Sequence, residues 1–338
     1  MSTLLRRVPT LILLASLFVF SNALRAAAPE PLKDGFTIVV MPDTQIYAWK
    51  FPEVYSAQTE WIAANAERYN MAYVIHVGDV TQNNVPGEWQ IALDAHKKMA
   101  AAVPCAVVPG NHDLGPGGKA GARDTLMSDY FSVAEFRKMP TYGGVYDKEP
   151  ERIENNYHLF SAGGRDWMIL GLEFGPRHDV VRWANEVTAK HRDRSVIMVT
   201  HAYLRPDNKR FNRWLKLGPQ KKPAGLDNYA LAKSDAGFND GEDLWKKLVS
   251  KHANMTFVLS GHVCYTGLLS SEGEQGNTVH QVLVDYQRDP QGGNGYLRLM
   301  QFSPDGVMVK VSDYSPYLDS TSQQAGAEFE LKLAPAKK

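Results

Sequence analysis

Five short apolar runs, each stopped by residues that can bind a metal or move a proton, constrain this chain more than any other feature. Residues 36–41 (Phe-Thr-Ile-Val-Val-Met) run into Pro42-Asp43-Thr44-Gln45, and residues 73–77 run into Gly78-Asp79. Residues 106–108 stop at Pro109-Gly110-Asn111-His112-Asp113, residues 196–200 at His201, and residues 256–260 at Gly261-His262-Val263-Cys264. Short apolar runs between turn signals read as fully buried strands. Polar groups at the carboxyl ends of such strands stand where open α/β sheets build their sites. Any one of them alone reads as a turn or as a satisfied core histidine. Five together call for a shared ligand. In the third, Asn111 offers a neutral oxygen to a cation, His112 brings an imidazole able to exchange a proton, and Asp113 stands ready to orient that imidazole.

The segments between the runs set the fold class. Residues 52–68 place Val54, Ala57, Trp61 and Ile62 on one helical face, and residues 88–102 do the same with Trp89, Leu93, Met99 and Ala100. A β-α-β-α-β order implies parallel strands with crossover helices, an α/β fold. Residues 167–170 add a strand, and residues 179–191 a helix capped by Asp179 with Val180, Ala184 and Val187 inward. A further helix buries Leu244, Trp245, Leu248 and Val249. Residues 282–286, 296–302 and 307–311 alternate like strands and are expected to close the domain as an antiparallel sheet.

Three stretches carry less pattern. Residues 114–156, rich in glycine and aromatics, read as an insertion over the site. Within them Gly117-Gly118-Lys119 is followed by Ala120 where a phosphate loop needs Ser or Thr, so that motif is rejected. After His201, residues 205–239 are polar and carry Arg205, Lys209, Arg210, Arg213, Lys216, Lys221 and Lys222. They read either as a solvated loop or as a basic flap that gathers anionic substrate. Residues 325–338 are expected to be a loosely held tail.

Lys and Arg number 37 and Asp and Glu 37, so no global field points to nucleic acid or an acidic membrane. Two cysteines exclude a disulfide framework and permit one bridge. Arg6 and Arg7, the apolar residues 11–20 and Ser21-Asn22-Ala23 form a signal-peptide pattern over residues 1–23. The apolar run falls short of the roughly 20 residues that span a bilayer, so removal is expected rather than a stable transmembrane anchor. The product is expected to be exported, periplasmic or secreted, with one domain over residues 34–312 and an extension over 313–338.

In chain order, Asp43-Thr44-Gln45, Gly78-Asp79, Gly110-Asn111-His112-Asp113, His201 and Gly261-His262-Val263-Cys264 resemble the motif series of the calcineurin-like metallophosphoesterase superfamily. That series reads Asp-x-His, Gly-Asp, Gly-Asn-His-(Asp/Glu), a later His, and Gly-His-x-His. The resemblance spans residues 36–311. It implies a four-layer α/β/β/α sandwich of the metallo-dependent phosphatase type with a dinuclear metal centre at the strand ends. By position, it implies Asp79 bridging two ions, Asn111, His201 and His262 completing one site, and Asp43 and Gln45 contributing to the other. Mn, Fe or Zn suit such donors. His112 would protonate the leaving oxygen, with Asp113 fixing its orientation. Gln45 and Cys264 depart from the family's two histidines, both at the same metal site, which is expected to be weak. A branch with an Asp-Thr-Gln first motif is similar at Gln45. Cys264 stands either as a thiolate ligand or as a small buried hydrophobe. The implied activity is hydrolysis of a phosphate ester, as phosphatase or phosphodiesterase. The alternative is a catalytically weakened binding protein on the same fold.

Overall fold

The structure, a computed structural model, describes residues 28–213 and 226–335. The signal-peptide pattern, and Lys216, Lys221 and Lys222, lie outside the described residues. Strands β1 (Phe36–Met41), β2 (Met71–His76) and β3 (Cys105–Val107) run parallel in a first sheet. Strands β4 (Tyr142–Val145), β5 (Asn156–Ala162), β6 (Arg165–Leu172), β7 (Ser195–Thr200), β8 (Met255–Ser260), β9 (Tyr265–Glu272) and β10 (Thr278–Asp285) form a second, in the order β4-β5-β6-β7-β8-β10-β9. Strands β11 (Leu297–Phe302), β12 (Met308–Ser315), β13 (Ser320–Thr321) and β14 (Glu328–Lys332) return to the first sheet, where β11 pairs antiparallel with β1.

Alternation along the strands makes the layers. In β1, Phe36, Ile38 and Val40 face the core between the sheets, with Tyr73, Ile75, Trp167, Ile169 and Phe257. Val39 and Met41 face the other way, against Val54 and Ile62 of helix α2 (Pro52–Asn65) and Trp89 and Met99 of helix α3 (Pro86–Ala100); α1 (Gln45–Lys50) precedes them. On the far side, Met168, Leu170 and Met198 meet Val180, Ala184 and Val187 of α4 (His178–Lys190) and Leu244 of α5 (Gly241–Lys247). The result is helices, sheet, sheet, helices. Strands covered on both faces carry unbroken apolar runs, which is why these were conspicuous in the sequence.

Several expectations give way to long-range pairing. Residues 282–286 do not join residues 296–302 and 307–311 in one antiparallel sheet. The chain turns after β9 and brings β10 back parallel to β8 in the second sheet, while β11 and β12 extend the first. Part of residues 114–156 is core rather than cover, since Met127, Phe131, Val133 and Phe136 pack on the helix side of the first sheet. Asp179 is not the cap of α4; it lies in the first turn and pairs with Lys148 at 3.1 Å and with Arg182. The tail is not loose either: β14 pairs with β12, and Leu331 and Leu333 are buried between the sheets. Among the described residues no helix is long and apolar enough to cross a membrane.

Candidate metal centre

The loops that leave β1, β2 and β3 in the first sheet and β7 and β8 in the second meet at one end of the sandwich. There the His201 Nε2 atom lies 3.2 Å from Asp79 Oδ2, 3.2 Å from Asn111 Oδ1 and 3.3 Å from His262 Nδ1. His262 Nδ1 is 2.7 Å from Asn111 Oδ1. The other His201 nitrogen, Nδ1, donates to the Val77 carbonyl at 3.0 Å, because a carbonyl can only accept. In the neutral ring this leaves the Nε2 lone pair aimed inward, as metal-binding histidines are held. Burial would raise the Asp79 carboxyl, but His201 and His112 outweigh it and hold it at about 2. Burial lowers His262 to about 3, with His201 adding to the shift. Burial would lower the His201 imidazole, but Asp79 outweighs it and raises the ring above its usual range, so a metal ion would displace a proton held between these two. The donor set of carboxylate, amide oxygen and two imidazoles fits a divalent cation, and ligand atoms of Asp79, His201 and His262 lie within 4.8 Å of one another.

Beside this cluster lies a second one. Asp43 accepts from the His262 backbone N–H, 3.3 and 3.2 Å from its two oxygens, and its carboxyl is raised by burial, then by Asp285 and Asp79. Gln45 donates to Gln287 Oε1 at 2.6 Å, while its own Oε1 is buried without a partner. Cys264 carries a buried free thiol, pushed up to about 12 by burial and then by Asp285, which disfavours thiolate. Cys105 is free as well, so the permitted bridge does not form. Asp285 was not among the expected site residues. It ends β10, is fully buried, and is raised to about 6, chiefly by burial. The signal was present, since Val282-Leu283-Val284 followed by Asp285 repeats the pattern of the other five strands.

Two glycines allow this crowding. A Cβ on Gly110 would collide with Asp79 Oδ1, and one on Gly261 with Asp43 Oδ1. Gly261→Ala should therefore displace Asp43, lowering stability by about 1–3 kcal/mol as other overpacked sites do. Thermal melts and metal analysis after dialysis check this, and wild-type values in both would refute it. Asp79 and His262 themselves adopt left-handed backbone, φ 50° and 77°, a strain usually met at functional sites.

His112 stands at the rim, its backbone N–H donating to Asp79 Oδ1 at 2.8 Å. Its ring is not oriented by Asp113. Nδ1 bonds the Gln82 carbonyl at 2.8 Å, leaving Nε2 as the nitrogen able to hand over a proton. Asp113 turns away and accepts from the N–H groups of Gly110, Val80 and Thr81 and from the Thr81 hydroxyl, at 2.8, 2.9, 2.7 and 2.8 Å. It clamps the loop after β2 to the loop after β3. Sequence neighbours in a tight turn point in different directions, and this turn gives the carboxylate to the backbone.

The stretch after His201 is not a basic flap in its described part. Arg210 bonds Gln281 and Ser271 at 2.6 and 2.8 Å and lies over the Trp245 ring, and Arg213 bonds the Ala232 carbonyl at 3.1 Å. Phe211, Leu226, Leu231 and Phe238 instead pack with Phe174 into an apolar cluster. Phe174 and Phe211 each stand 5.7 Å from the His262 ring, and Tyr229 6.1 Å, walling the imidazoles on that side.

The profile of the calcineurin-like phosphoesterases matches residues 36–265. The chain belongs to that family. The family is one of metallophosphoesterases, hydrolases of phosphoric esters. An uncharacterized protein of Bacillus subtilis (strain 168), YvnB, is 34% identical over 320 residues, 90% of this chain and 22% of that protein. The chain thus spans about a fifth of that relative's length. Among solved structures, the purple acid phosphatase PPD1 of yellow lupin (Lupinus luteus) superposes with a TM-score of 0.53 at 13% identity, over 88% of this chain and 54% of that one. A 5'-nucleotidase precursor of Thermus thermophilus superposes less closely, with a TM-score of 0.44 at 14% identity over 88% and 54% of the two chains.

Proposed function

We propose that the chain is a metal-dependent phosphoric-ester hydrolase with two metal ions at the strand ends and His112 as the acid for the leaving group. Asn111, His201 and His262 would hold one ion, Asp43 and Gln45 would contribute to the other, and Asp79 would serve both. Bound ions would acidify a water and draw the phosphoryl oxygens into line. The chain's own groups do the rest. Val77 fixes the His201 ring through its carbonyl, the aromatic wall of Phe174, Phe211 and Tyr229 keeps water from one side, and Gln82 holds His112 with Nε2 presented. The observation that carries this reading is the convergence of two imidazole nitrogens, an amide oxygen and a carboxylate within hydrogen-bonding distance. The N-terminal pattern adds that the enzyme acts after export.

The experiment is hydrolysis of phosphate mono- and diesters by protein stripped with a chelator and then supplied with Mn, Fe or Zn. Activity should vanish on stripping and return with metal. A protein that takes up metal and hydrolyses neither ester class would instead be the weakened binding protein on this fold.

A further inference from the structure

At the second metal position Gln45 and Cys264 stand where the family's motif series has two histidines. We infer that Asp285 is a ligand of this position, making it an oxygen-donor site with Asp43 and suiting it to a hard divalent ion such as Mn or Mg. The inference rests on the two-ion reading above.

Three oxygens converge on one atom here. The Gln287 Nε2 group lies 2.8 Å from Asp285 Oδ2, 3.4 Å from Asp43 Oδ2 and 3.5 Å from the His262 carbonyl. An amide NH₂ has two protons and no charge to offer two carboxylates and a carbonyl, whereas a cation satisfies all three. Independently, Gln45, 4% exposed, reaches the same amide with its nitrogen and leaves its oxygen buried without a partner. A buried amide oxygen without a donor is a standing penalty unless an ion takes it. The strand geometry agrees. β10 runs parallel to β8, so Asp285 ends its strand on the same side as His262 does, opposite Tyr265 and next to Cys264. The neighbouring cation in sequence, Arg288, is exposed. Oxygen-rich sites favour Mg and Mn, imidazole-rich ones Zn and Fe, so the two positions differ in taste for metal.

The test is binding of Mn to the stripped full chain, followed by electron paramagnetic resonance of free Mn and by metal analysis. Wild type should take up two ions, the second more weakly. Asp285→Asn keeps an oxygen for the Gln287 backbone N–H, 2.8 Å away, but loses the charge. Loss of an outer-shell partner alone weakens metal binding by about 10–100-fold, so loss of a ligand should weaken the second ion by at least that much. Uptake of the first ion should be unchanged, which also reports that the variant is folded. Cys264→Ala should leave both affinities as they were. Wild-type uptake of a single ion would overturn the two-ion reading and this inference together. Two ions in wild type, the second lost in Asp43→Asn but kept at full affinity in Asp285→Asn, would overturn this inference alone. A second ion weakened more by Cys264→Ala than by Asp285→Asn would do the same.

Discussion

His112→Ala should slow hydrolysis of alkyl phosphate esters by about 10²–10⁴-fold, the usual contribution of a general acid, and slow nitrophenyl esters far less. An alkoxide leaves poorly without a proton, whereas nitrophenolate leaves without one. The ring is set for the task by Gln82, whose carbonyl takes Nδ1 at 2.8 Å and so commits the transferable proton to Nε2. Steady-state rates on a series of esters with graded leaving groups provide the measurement. A uniform loss across the series would remove His112 from the acid role. Asp113→Asn offers a contrast. Its carboxylate serves backbone N–H groups of two loops and no imidazole, so its loss should lower stability and depress all esters alike.

Much of this centre was legible in the sequence because its parts are local. A buried strand followed by a turn and a ligand is written in a few consecutive residues, and five such passages brought Asp43, Asp79, Asn111, His201 and His262 to one place. What was missed depended on pairing between distant segments. Asp285 carries the same local signature, yet reading its strand as part of an antiparallel closing sheet put it far from the site. Only the parallel register of β10 with β8 returns it. The β4–β5 hairpin was lost because Tyr142-Gly143-Gly144-Val145 has the texture of a loop, though Tyr157 covers its glycines. The alternation Glu328-Phe329-Glu330-Leu331-Lys332 is a strand signal, but a five-residue edge strand next to a chain end is hard to tell from a loose tail until its pairing with β12 is known. The arginines after His201 could not be told from a substrate-gathering flap by sequence. The partners of Arg210, Gln281, Ser271 and Trp245, lie dozens of residues away.

Arg298 shows how far such distant pairing reaches into stability, and Arg298→Met should destabilise the fold by about 3–5 kcal/mol, as breaking a buried ion pair does. The guanidinium is fully buried and takes both oxygens of Asp313, at 2.6 and 2.7 Å, across neighbouring strands β11 and β12. It also donates to the Leu283 carbonyl at 3.2 Å and the Gly326 carbonyl at 3.1 Å, and its carbon lies 5.3 Å from the Phe329 ring. Asp313 in turn accepts from the Tyr286 hydroxyl at 2.6 Å. One side chain thus ties the first sheet to the end of β10, beside Asp285, and to the C-terminal strand. Methionine fills much of the same volume, so the penalty comes from leaving Asp313 charged and without its partner rather than from a cavity. That attribution has its own check. Adding Asp313→Asn to Arg298→Met removes the stranded charge, keeps an acceptor for Tyr286, and should recover most of the lost stability. Denaturant midpoints of the wild type, both single variants and the double variant form the cycle. A double variant as unstable as Arg298→Met alone would show that packing, not the unpaired carboxylate, dominates at this junction.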